Sequence, residues 1–170
     1  MKRFLIKALA LVTALALLLC CHVPVSAEEI TEARVPVTLT VINTERPISV
    51  TVPAALPVSV VDGKVLTANN AKITNNTGSG TVRVTGIVVE DGALTVSDFH
   101  NFSGRDNTIA LSINGCGTTG VGALQLNELS FPEITPGKSL PIHYEAKVTV
   151  SRTMENTTAA TVIFTIAAVD

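Results

Sequence analysis

Cys116, His100 and His143 are the residues whose types suit nucleophilic catalysis. A thiol becomes an acyl acceptor when an imidazole takes its proton, so a Cys-His hydrolase requires Cys116 to approach His100 or His143. Asp98, His100 and Asp106 fall in one polar stretch, and their carboxylate and imidazole groups are donors for a metal, although their spacing fits no defined cage. Residues 115–120, Gly-Cys-Gly-Thr-Thr-Gly, match G-x-G-x-x-G. That pattern holds a dinucleotide only where a strand turns into a helix inside a βαβ unit, and the following Val-Gly-Ala-Leu-Gln-Leu promises no such unit. A glycine-rich hairpin loop is the expectation there. Asn75, Asn101 and Asn156 each open an N-x-S/T acceptor, which matters only in a glycosylating pathway. None of these sets carries an activity, so the expectation is a non-enzyme with no catalytic residue, cofactor or metal.

The stretch 98–108 is expected to be a long surface loop, with Asp98, Phe99, His100, Phe102 and Asp106 in its 98–106 part as a contact set. An exposed Phe99/Phe102 tip would serve a binding module for a glycan, a protein or a metal, the second functional reading. Folded inward, the two rings would plug the end of the domain. A carbohydrate cleft is disfavoured, because such clefts stack sugars on Trp or Tyr and this chain has no Trp and one tyrosine, Tyr144.

Residues 1–27 have the three parts of a secretory signal: basic Lys2, Arg3 and Lys7, an apolar run over 8–19, and Val25-Ser26-Ala27 before the expected cleavage point. The apolar run is short for a bilayer, so no membrane span is expected after cleavage. Lipidation at Cys20 is the alternative, although Leu19 stands where a lipidation box wants a small residue. Residues 28–33 form an acidic leader, and residues 34–170 are long enough for one domain with its own core. Of 12 basic residues the signal holds three, so 9 face 14 acidic ones from residue 28 onward, a net charge of −5. That balance disfavours nucleic acid as a partner. Cys20 and Cys21 fall within the signal, leaving Cys116 without an internal disulfide partner.

The elements that would position these residues are strands. In 48–60, Ile48/Val50/Val52 and Leu56/Val58/Val60 alternate with small polar residues on either side of Pro53-Ala54-Ala55, the pattern of strands buried on one face. Val35, Val37, Leu39 and Val41 alternate in the same way. Because Pro36 cannot donate to a ladder, that strand is expected to lie at a sheet edge or to begin on one. Asp62-Gly63 marks a turn, and Gly86 marks a bulge or a switch of facing between Val82/Val84 and 87–89. Strands are also expected over 71–76 and 94–99. Ile109, Leu111 and Ile113 should pair across the glycine-rich segment with Leu124 and Leu126. Ile142, Tyr144, Ala146, Val148 and Val150 share one face, and Val162, Phe164 and Ile166 form the last strand. Residues 121–130 are the one weak helix candidate. The expected fold is all-β, a two-sheet antiparallel sandwich of immunoglobulin-like or jelly-roll type with eight or nine strands.

At ISVTVPAALPVSV, ANNAKITNN and the closing TVIFTIAAVD, the chain resembles small secreted surface proteins of Gram-positive bacteria: the WxL-type cell-wall proteins and the biofilm-fibre and camelysin group. With no Trp, the W-x-L motif and its wall attachment do not carry over, nor does any residue set transfer a camelysin-like protease activity. The resemblance implies an extracellular or cell-surface β-sandwich with a structural or adhesive role. Its partners would be itself or other surface components. The strand carrying Val35, Val37, Leu39 and Val41 is the expected assembly strand, able to leave its sheet and complete a neighbour's.

Overall fold

The computed structural model describes residues 31–41 and 47–169, without the side chains of residues 31–34 and 41. The expected signal and residues 28–30 of the acidic leader lie outside the described residues.

Alternating β-branched residues become strands where the sequence marks them. β1 (Thr31–Val41) is followed by β2 (Val50–Thr51), β3 (Ala55–Val61) and β4 (Lys64–Thr67). Asp62 and Gly63 join β3 to β4 with φ of 50° and 71°, the left-handed pair that matches strand twist in a two-residue hairpin. Next come β5 (Lys72–Asn75), β6 (Thr81–Asp91), β7 (Thr95–Val96), β8 (Thr108–Ile113) and β9 (Cys116–Gly117). The chain closes with β10 (Gly122–Ala123), β11 (Ser139–Pro141), β12 (Tyr144–Thr149), β13 (Thr157–Thr158) and β14 (Ala160–Val169). No helix occurs among the described residues, so the helix candidate at 121–130 is replaced by β10 and a turn. The strand expected over 94–99 shrinks to β7.

The fold is all-β, with a curled mixed sheet at its centre. The large sheet runs β10-β6-β14-β1-β3-β4, with β13 also on β1; β11-β5-β2 and β12-β8-β7, with β9 on β8, are the smaller sheets. All three contribute to one core, where Val35, Leu56, Ile73, Leu111, Phe131 and Phe164 are buried. The expectation of purely antiparallel pairing is corrected: β1 runs parallel to β13 and β14, and β7 parallel to β8. In β6 the register against β14 slips at Gly86, where Thr165 faces Gly86 but Ile166 faces Val84. Thr85 is the extra residue of this bulge, which moves inward-facing positions from Val82 and Val84 to Ile87 and Val89.

The hairpin expected between 109–113 and 124–126 forms elsewhere. β8 turns through Asn114-Gly115, φ 47° and 82°, directly into β9, pairing Ile113 with Cys116. Asn-Gly is a strong two-residue hairpin signal, and here it outranks the longer glycine-rich stretch.

Candidate functional site

The first half of β1 is interior, which corrects the expectation that the strand begins at a sheet edge. Residues 31–36 pair antiparallel with β3, from Thr31↔Val60 to Pro36↔Ala55. On its other side residues 33 and 34 meet β13, and residues 37–41 run parallel to β14, from Val37↔Val162 to Val41↔Ile166. Pro36 is the last residue paired with β3, where a missing N–H does least harm to the ladder. After it, Val37 N–H still donates toward the β3 side, to the Ala54 carbonyl at 3.3 Å. Of the expected assembly residues, Val35 is fully buried, Val37 and Leu39 are half-buried, and the side chain of Val41 lies outside the described residues. β1 therefore fills a slot in the sheet with its first half and forms an outer strand with its second.

The 98–106 loop lies along a sheet instead of projecting from it. Lys147 on β12 donates to the Phe99 carbonyl at 2.7 Å, and its ammonium sits 4.5 Å from the Phe99 ring centroid. Lys147 pairs with Ala110 of β8, so both side chains lie on the same face of the small sheet. The loop covers that face, which explains why β8 is buried at Ala110 and Ser112 as well as at Ile109, Leu111 and Ile113. Asp98 pairs with Thr119 in an isolated bridge and accepts the Asn101 N–H at 2.7 Å. That backbone bond holds its carboxyl below the usual aspartate range. Phe99 and Phe102 are half-buried, while His100 and Asp106 are exposed. Phe99 is thus a cation-covered anchor and not a bare apolar tip.

Asp98, His100 and Asp106 do not converge. Among the described residues no group of three or more His, Cys, Asp or Glu is placed to hold a metal. Cys116 is buried within the core cluster. A side chain at Gly117, the next residue, would come 3.1 Å from His100 Nε2 and from Phe99 Cβ. Successive strand residues point to opposite faces, so His100 lies across β9 from the Cys116 thiol. The G-x-G-x-x-G segment is the Asn114-Gly115 hairpin and β9, with no helix N-terminus to receive a phosphate. Asn75 is wholly buried, its amide nitrogen donating to the Gly80 and Ile134 carbonyls at 3.0 and 2.8 Å, so this acceptor sequence serves packing in the folded chain.

Two shallow grooves meet at His143. One, of about 250 Å³, lies between Thr67, Ala68 and Asn69 on one side and Tyr144 and Glu145 on the other. The second, of about 410 Å³, is more apolar and is walled by Leu129, Pro132, Leu140 and Pro141. Leu129 is 90% exposed. Neither groove had a signal in the sequence, since both arise where turns distant along the chain come together.

Comparison with protein-family models, with curated proteins and with solved structures finds no match for this chain.

Proposed function

We propose that this chain is a secreted, non-enzymatic structural or adhesive protein of the cell surface or extracellular matrix, and that its copies assemble by exchanging β1. In this reading the domain is a sandwich of immunoglobulin-like or jelly-roll type, with the curled sheet as one layer and the two smaller sheets as the other. The export signal in residues 1–27, the absence of Trp, the acidic balance and the resemblance to Gram-positive surface proteins all favour that class over a hydrolase or a nucleic-acid binder.

The observation that carries the assembly mechanism is the slot of β1. A strand held by β3 and β13 over its first half and by β14 over its second makes the same backbone bonds and buries the same Val35 whether it comes from its own chain or from a neighbour's. Exchange therefore leaves the contacts inside each domain unchanged and is driven by concentration. Because β1 is interior, deletion of residues 28–43 is not expected to leave a folded monomer, as an edge strand would have allowed.

The test is to prepare the chain from residue 28 onward, with reductant to exclude disulfide dimers through Cys116, and to follow its mass by light scattering over a concentration series. A second preparation lacking residues 28–43 is mixed with a synthetic peptide of that segment. Oligomers that grow with concentration, and recovery of cooperative melting on adding the peptide, are expected. A single monomer mass throughout, with no rescue by peptide, would remove the proposal. The alternative, a binding module using the 98–106 loop, has less support because Lys147 covers Phe99.

A further inference from the structure

Every sheet with ends exposes backbone N–H and C=O groups along its outer strands, and proteins blunt such edges with charge, proline, brevity or cover. Most outer strands here are treated in one of these ways. β4 begins with exposed Lys64, and the N–H of Ala68 just beyond it is taken by the Tyr144 hydroxyl at 3.0 Å. β11 ends in Pro141, and β12 carries Glu145 and Lys147. β2 and β10 are two residues each. β7 is equally short, and the Asp91 carboxylate caps its Val96 N–H at 2.6 Å.

Among the described residues, the second half of β1 has none of these protections. Past the Val37 bond to Ala54, residues 38–41 pair with β14 on one side and with no described strand on the other. Their sequence, Thr-Leu-Thr-Val, has no charge and no proline, and Thr38 and Thr40 are exposed. β-branched residues favour strand pairing, and threonines facing one another across antiparallel strands stabilise it.

We infer that residues 38–41 are a self-association edge, at which β1 of one copy pairs antiparallel with β1 of a second copy about a two-fold axis. The occupant follows from the chemistry. A bare backbone edge is satisfied by another extended backbone, and an uncharged edge can meet its own copy without like-charge repulsion. Pairing joins the β6-β14-β1 part of one large sheet to the same part of the second copy's, past the end of β3, which holds residues 31–36 on that side of β1 in each copy. It stands apart from strand exchange, because here β1 keeps both partners within its own chain. The contact is short, so the dimer forms and dissociates rapidly.

The test compares the chain from residue 28 onward with its T38K/T40K variant by sedimentation over a concentration series, with amide hydrogen exchange on both. Thr38 and Thr40 are exposed, so the variant should keep its melting temperature while its dimer dissociation constant rises at least tenfold. In the unsubstituted chain, amide protection in residues 38–41 should increase with concentration. A monomer at all concentrations, unchanged dimerisation in the variant, or concentration-dependent protection confined to other segments would overturn the inference. Exchange-linked oligomers would survive the lysines and persist on dilution, so failure of one idea is distinguishable from failure of the other.

Discussion

Tyr144 ties separate strands together through one oxygen. Its hydroxyl donates to the Pro57 carbonyl of β3 at 2.6 Å and accepts the Ala68 N–H beyond β4 at 3.0 Å, drawing both toward β12. Tyr144→Phe leaves a carbonyl and an amide without their partner, and a loss of about 1–2 kcal/mol in urea unfolding is expected. Burial raises the Tyr144 pKa above the ordinary 10.0. Since the fold favours the neutral phenol, that contribution is intact below the unfolded value and is lost as pH rises through the folded one. Stability should thus fall more steeply in alkali for the native chain than for Tyr144→Phe, as paired urea titrations would show. The inward face of Tyr144 was legible from its alternation with His143. The two bonds of its hydroxyl were not, because they depend on residues brought close only by the curl of the large sheet. Asn75 makes the same point, since an acceptor sequence reads alike whether its asparagine is exposed or, as here, held by Gly80 and Ile134.

Strand positions were more legible than strand partners. Alternation located β3, β6, β8, β12 and β14, and Gly86 announced the bulge, because both are local consequences of which side chain faces the core. The interior place of β1 left no such trace, for Val37 meets Val162 from the opposite end of the chain. The 98–106 loop was expected at the surface, but its anchoring needed Lys147, which reads in sequence as an ordinary solvent-facing residue. The junction before β14 offers a sharp test at this scale. A side chain at Gly92 would lie 2.5 Å from the Thr158 carbonyl oxygen and 2.8 Å from that of Ala159. Both are backbone atoms that cannot swing aside, so Gly92→Ala should destabilise by roughly 1–3 kcal/mol in thermal or urea melts. Gly86→Ala is the control, since its nearest contact, Thr165, would be 3.4 Å away.

Across the whole molecule, the central pairing joins β1 to β14, the first and last strands described. Such contacts between distant parts of a chain form late, because loop closure must be paid before the pairing is gained. Refolding of the chain from residue 28 onward should therefore take milliseconds to seconds, and stopped-flow dilution from urea would measure it. A microsecond phase recovering all native signal would contradict this ordering.

The parallel β1–β14 ladder also sets a rule for biosynthesis. A chain emerging from the ribosome N-terminus first cannot close its main sheet until β14 has been made. Every earlier intermediate still has an open seam beside β1. The seam closes only once β14 has been made, so the strand that comes first among those described waits for the one that comes last before the main sheet is whole.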